Sequence, residues 1–341
     1  MSTIFNPTGG PAPGKGGNRG GDGNNGGNPK GPHYTPWLVV RYHVGDGGNR
    51  PLLPGTVFWE STDVWSKGSM GINQPVVGEP TQVWALVTNV GLSDATNATI
   101  QFYWANPSIA ITEASVTPIG PTTWLTGQTI PAKNSVPFQN PTDWTPMEAN
   151  NGHECLIVQA FDPLFDPLHV PMQPFYDRHV GQKNEQLVAL APGMMFRFPL
   201  EARNFTNEDR EIAVEVRPGL IPRNFVKRFG RPGILPAELL DAAFPLPVDI
   251  DIDTKAIGAR EVQTFAMPKA PAIDCLGPAQ VSRRQIFNAG EVRQVVISGK
   301  LPPSAVPGEI YVVRITQTMG QVVVGGYTLY VTLDTGKRIL K

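Results

Sequence analysis

Asp334-Thr335-Gly336 matches the short aspartic-protease signature. That chemistry needs two carboxylates sharing one proton, each followed by a substantial β lobe. Here five residues follow Gly336 and no second Asp-Thr/Ser-Gly occurs, so the tripeptide reads as a turn that ends the last strand. Asp249, Asp251 and Asp253 alternate with Ile250 and Ile252, which on a strand places the three carboxylates on one face at about 6–7 Å intervals. They are the candidate Ca²⁺ ligands of the chain, provided that a loop supplies carbonyl oxygens beside them. The plainer reading is a solvated acidic face that blunts an edge strand.

Histidine and cysteine show no metal or nucleophile pattern. His33, His43, His153, His169 and His179 include no i, i+4 pair, and none stands at metal spacing from a cysteine or carboxylate. His169 and His179 flank a Pro-rich loop holding Asp162, Asp166 and Asp177, which folding could bring together. No Gly-x-Ser-x-Gly elbow, phosphate loop or dinucleotide fingerprint is present. The expectation is a non-enzyme without catalytic residues, metal or cofactor. Cys155 and Cys275 fall in different halves and read as small buried hydrophobes rather than a disulfide.

All seven tryptophans (Trp37, Trp59, Trp65, Trp84, Trp104, Trp124 and Trp144) precede residue 145. Trp84 and Trp104 sit in strand-like runs and are expected in the core. Trp59, Trp124 and Trp144 stand in loop-like context beside Glu60, Thr123 and Asp143; packing into the core or against a loop is the first reading of them, and contact with a protein or a sugar ring the alternative.

Charge narrows the partners. Lys and Arg total 28 against 29 Asp and Glu, a net of −1, so no long-range attraction to nucleic acid or anionic lipid is expected. The cluster Arg223, Lys227, Arg228 and Arg231 around Phe225 and Phe229 reads as a protein-contacting or solvated patch. No run approaches the ~18 apolar residues of a membrane span. Met1 to Pro7 has neither a basic nor an apolar signal region, so a cytoplasmic start is expected, with membership of an exported particle open.

The elements that must position these residues are β. The first 32 residues hold 11 Gly, 5 Pro and 5 Asn, with Ile4-Phe5 their one cluster of apolar bulk. Such a segment cannot bury enough surface to offset its ordering entropy, so residues 1–36 read as a flexible arm whose tip, Ile4 and Phe5, docks on a neighbour. Thirty of the 35 prolines lie beyond residue 32, fitting a turn-rich β protein. Thr81–Val90 is apolar on both faces, as in a strand central to a sandwich. Ala98–Trp104 alternates, and His153–Phe161 and Gln182–Leu190 read as two further strands of the same half. Tyr327, Leu329, Val331 and Leu333 alternate with Thr328, Tyr330 and Thr332, and Glu309–Gln317 is expected to pair with them as a hairpin. Pro236–Ala243 is the one credible helix, and Ala191-Pro192-Gly193 the natural domain boundary.

Asp63-Val64-Trp65, VWALVTNVG (Val83 to Gly91), FYWANPS (Phe102 to Ser108) and GHECLIVQA (Gly152 to Ala160) together resemble bacterial immunoglobulin-like domains of the CARDB-like, adhesion-related type. Pro307 to Val331 is similar to the last hairpin of other bacterial Ig-like modules. The resemblance implies an all-β protein of two tandem Ig-like sandwiches, spanning 37–191 and 192–341, behind the arm. The function expected is a structural or adaptor subunit of a larger bacterial or phage-like assembly with protein partners. The alternative is a carbohydrate-binding or adhesion module using the aromatics of the first domain.

Overall fold

A computed structural model describes residues 34–53, 55–120, 125–147, 154–219, 246–259, 279–306, 309–320 and 322–333. Ile4, Phe5, Trp124, Cys275, the 236–243 segment, the basic cluster at 223–231 and Asp334 lie outside them. The described chain is all-β, with a single turn of 3-10 helix at Glu113–Ser115. No helix among the described residues is long and apolar enough to cross a membrane.

Eighteen strands build four sheets. In the first, β4 (Gln82–Asn89) is central: β1 (Leu38–Val39) and β2 (Val64–Gly68) pair with one edge, β8 (Ser135–Gln139) with the other, and β3 (Gly71–Ile72) extends β2. In the second, β10 (Val180–Lys183), β9 (Cys155–Phe161) and β5 (Ala95–Ala105) run antiparallel, with β6 (Val116–Pro118) and β7 (Leu125–Ile130) on the far side of β5. The third is ordered β11 (Glu185–Leu190), β18 (Val322–Leu333), β17 (Ile310–Met319), β13 (Arg210–Pro218), β15 (Val281–Phe287), and the fourth β12 (Met195–Arg203), β16 (Glu291–Lys300), β14 (Val248–Ala259).

Strand period places the cores. Val64, Val83, Ala85 and Val87 of the first sheet meet Ala98, Ile100, Phe102, Leu156, Val158 and Ala160 of the second in one apolar layer. The odd-numbered neighbours on the second sheet, Tyr103, Ala105, Cys155 and Ile157, point the other way into a larger core with the third and fourth sheets. The second sheet is therefore buried on both faces, which accounts for the unbroken burial of Cys155–Ala160.

The expected hairpin forms, β17 antiparallel to β18, with Gly320 at φ 62° in its turn. Two expectations change. The run Gln182–Leu190 is not one strand: it divides at Asn184, where β10 leaves the second sheet and β11 joins the third, parallel to β18. The last strand does not present one face to solvent, because Thr328 and Tyr330 are fully buried under Trp59 and Glu60.

Candidate functional site

The stretch Asp177-Arg178-His179-Val180-Gly181-Gln182-Lys183-Asn184 enters β10 and uses nearly every side chain internally. His179 is fully buried, its Nδ1 2.6 Å from Asp177 Oδ1 and its Nε2 3.2 Å from Asp166 Oδ2, an ion-pair distance off the hydrogen-bond axis. Asp177 Oδ2 also accepts the backbone N–H of His169 at 2.7 Å and of Val170 at 2.8 Å. Asp166 is paired with the Arg178 guanidinium and accepts the Leu38 N–H at 2.5 Å, tying β1 to the loop. The other face of Arg178 lies over the Trp37 ring, 3.4 Å from its centroid.

Burial pushes His179 toward neutrality, yet the charge of Asp177 and the contacts with both carboxylates outweigh it and hold its pKa above the usual histidine value. Burial likewise opposes ionisation of Asp177, but the His179 charge and the hydrogen bonds it accepts leave its pKa well below the carboxylate range. The loop histidine and aspartates thus converge only in part. Asp166 and Asp177 grip His179, whereas Asp162 turns away to accept the Leu164 and Phe165 N–H groups at 3.0 and 3.1 Å. His169 contributes its backbone N–H and a ring 6.5 Å from that of His179. Among the described residues, no three His, Cys, Asp or Glu side chains are arranged to hold a metal ion. With the imidazole sealed from solvent and committed to two carboxylates, the cluster is built to fasten β1, β10 and the loop together.

Asn184 continues the fastening across the two halves. Its N–H donates to Trp59 O at 2.7 Å, its carbonyl accepts the Thr328 N–H at 3.0 Å, and its side chain reaches Gly326 O at 3.2 Å. Glu60, 5% exposed, accepts Thr328 Oγ1 at 2.7 Å, Tyr330 OH at 3.1 Å and Arg314 Nε at 3.2 Å. A backbone bridge adds to this junction: Ile109 N–H donates to Glu201 O, and Glu201 N–H to Pro107 O. The segment 107–109 so pairs with the edge strand β12, satisfying part of an otherwise open edge.

Of the aromatic candidates, Trp59 and Trp144 pack inside. Trp59 is completely buried, donating from Nε1 to Thr328 Oγ1 at 3.0 Å, because its neighbour Glu60 is itself drawn into the junction. Trp144 is 4% exposed, held in a backbone bridge with Thr81. Neither ring is presented at the surface. Trp84 and Trp104, expected in the core, are half-buried, and Trp104 packs against the apolar layer between the first two sheets. Trp84 stands on the outer face of the first sheet beside Trp65, opposite it in register, with the rings 9° from parallel and 6.0 Å apart. Residue composition around Trp65 offered no turn or loop signal to mark it. The acidic alternation does lie on the open side of edge strand β14: Asp249, Asp251 and Asp253 are exposed, and Asp249 pairs with Arg283 at 2.9 Å. Among the described residues, no group of three or more His, Cys, Asp or Glu side chains is placed there to hold a metal ion.

No family model matches the chain, and no curated protein does. Solved structures give remote likenesses. A family 123 glycoside hydrolase from Clostridium perfringens aligns at 13% identity over 45% of this chain and 23% of its own, with a TM-score of 0.25. Red sea bream transglutaminase aligns at 11% identity over 81% of this chain and 32% of its own, with a TM-score of 0.20. The CupB6 tip adhesin from Pseudomonas aeruginosa aligns at 8% identity over 89% of this chain and all of its own, with a TM-score of 0.19. This chain therefore spans less than a third of the first two.

Proposed function

We propose that this chain is a non-enzymatic structural or adaptor subunit of a larger assembly: two tandem Ig-like sandwiches locked into one body, with the N-terminal arm engaging a neighbour. The observation that carries the reading is the junction around Trp59 and Glu60. Phe58, Trp59, Tyr103, Ile109 and Ile157 share one core with Phe198, Val313, Tyr327 and Leu329, so the halves are welded rather than hinged. A welded junction suits a spacer that transmits position, whereas interfaces that permit relative motion are smaller and more polar. The unusual ionisable groups support the same reading, since His179, Asp166, Asp177 and Glu60 all serve internal contacts.

The test is the size in solution of the full chain, a chain lacking residues 1–32, and the Ile4→Asp/Phe5→Asp variant, followed by light scattering across concentration. Truncation and the double substitution are both expected to weaken self- or co-assembly while leaving the melting midpoint unchanged. Equal assembly by all three would overturn the docking role of the arm, and turnover of a hydrolase substrate by the purified chain would overturn the non-enzymatic reading.

A further inference from the structure

The outer face of the first sheet is laid out in rows by strand register. Trp65, Trp84 and Gln139 lie side by side across β2, β4 and β8. Two residues along the strands, and so on the same face, Lys67 pairs with Gln82; on the other side of the aromatic row Leu86 pairs with Pro137. The inner face already has its complement in Val64, Val83, Ala85 and Val87, all buried in the sandwich core. Trp65, Trp84 and Leu86 stay half-open on the outer face, with Lys67 and Pro137 exposed beside them.

We propose that this face binds a neutral glycan, with Trp65 and Trp84 as its stacking platform and Gln82, Gln139 and Lys67 as its hydrogen-bonding flank. Three features select the ligand. The two indoles are stacked on one another yet both stay half-exposed, so the pair leaves part of its π surface open to a flat apolar partner such as the C–H side of a pyranose ring. The groups beside them are amides and one ammonium, a set that donates to and accepts from hydroxyls. Trp84 Nε1 donates to Gln82 Oε1 at 3.4 Å, which leaves the Gln82 amide N–H₂ outside that contact. Charge gives the third point: Lys67 is the exposed ionised side chain in these rows, and the nearby Asp63 carboxylate is buried and paired with Arg41, so nothing there calls for a strongly charged ligand. The inference does not depend on the assembly reading, since an arm-docked rigid body can hold a glycan on this face.

Affinity electrophoresis of the full chain through soluble neutral polysaccharides, with calorimetric titration of cello-, xylo-, manno- and laminarihexaose, tests it. The intact chain is expected to be retarded by at least one polymer and to bind the matching hexaose with a change in tryptophan fluorescence. Trp84→Ala and Trp65→Ala are each expected to lower that affinity by about tenfold or more. Gln82→Ala and Gln139→Ala leave the ring pair in place, so they guard against misfolding; each is expected to weaken binding several-fold at an unchanged melting midpoint. Absence of binding to every polymer, or affinity that survives Trp65→Ala/Trp84→Ala, overturns the proposal. So does loss of self-association in that double variant without any glycan affinity in the parent, which would make the face a protein contact.

Discussion

Gly326 of the last strand lies flat against the indole of Trp59: a Cβ built on it would fall 2.4 Å from the ring. Its neighbour Gly325 is tighter still, its would-be Cβ 1.6 Å from the carbonyl oxygen of Ile109. Two successive glycines inside a strand otherwise weaken it, so their presence marks the approach of something that leaves no room for a side chain.

Gly325→Ala is accordingly expected to be among the most damaging small substitutions in the chain. The Ile109 backbone cannot yield as a flexible side-chain end would, and overpacking of this kind costs about 1–3 kcal/mol or more. Gly326→Ala should cost less, because the Trp59 ring can shift at the expense of its Thr328 bond. Gly47→Ala, where a Cβ meets nothing within 4 Å, is the control and should be near neutral. Urea unfolding of the three variants checks the order.

That pair of glycines was a readable signal, and its partner was not. VVVGGYTLYV declares a strand by its alternation and declares a close approach by its glycines, but nothing local names Ile109 or Trp59. The contrast between β4 and β9 shows the same limit. Both are apolar on two faces, yet the second face of β9 meets another core while that of β4 carries Trp84 and Leu86 toward water. A run of apolar residues records what a strand could bury, and only the stacking of layers decides whether it does. The 182–190 run concealed its change of sheet for a similar reason. Asn184 stands in the middle of a polar run, Gln182 to Gln186, that marks no particular residue as the break, and its meaning lies in hydrogen bonds to Trp59 and Thr328, far away in sequence. Hairpin β17–β18, formed by neighbours in the chain, needed no such information.

The Glu60 carboxylate should be worth more as part of a set than as a charge. Glu60→Ala removes the acceptor for Thr328, Tyr330 and Arg314 at once and leaves the guanidinium beside a cavity; removing one partner of a buried pair costs about 3–5 kcal/mol. Glu60→Gln retains shape and one carbonyl acceptor and is expected to recover roughly half of that loss. Thermal unfolding followed by circular dichroism distinguishes the two. Equal effects would mean that charge, rather than the number of acceptors, matters at the junction.

Cys155 should be chemically silent in the native protein. It is fully buried, and burial pushes its thiol pKa far above the usual range, so thiolate is scarce. Alkylation by iodoacetamide, read at the Cys155 peptide by mass spectrometry, is expected to be negligible until guanidinium unfolds the chain. Rapid native labelling would show that the second sheet opens away from the larger core.

The Asp166–His179–Asp177 cluster should make stability depend on pH in a defined window. His179 has a folded pKa raised above its unfolded value of about 6.5, so its contribution is complete below that pH and is lost as pH rises through the folded pKa. Asp177 is depressed, so its contribution is complete above its unfolded pKa of about 3.9 and is lost as pH falls through the folded one. The two windows overlap between about pH 4 and 6.5, where the cluster stabilises most. Arg178, paired with Asp166 and stacked on Trp37, stays charged throughout and cannot supply the effect. Urea midpoints measured from pH 4 to 9 are expected to fall above pH 6.5, and His179→Gln is expected to flatten that limb while lowering stability at pH 5.5. Asp166 keeps its Arg178 partner in the variant, but the glutamine cannot neutralise Asp177, so its cost at pH 5.5 should approach the ~3–5 kcal/mol of a broken buried pair. An alkaline limb of undiminished slope in His179→Gln would place the titration elsewhere, and would reduce the cluster to hydrogen bonds without an ionic part.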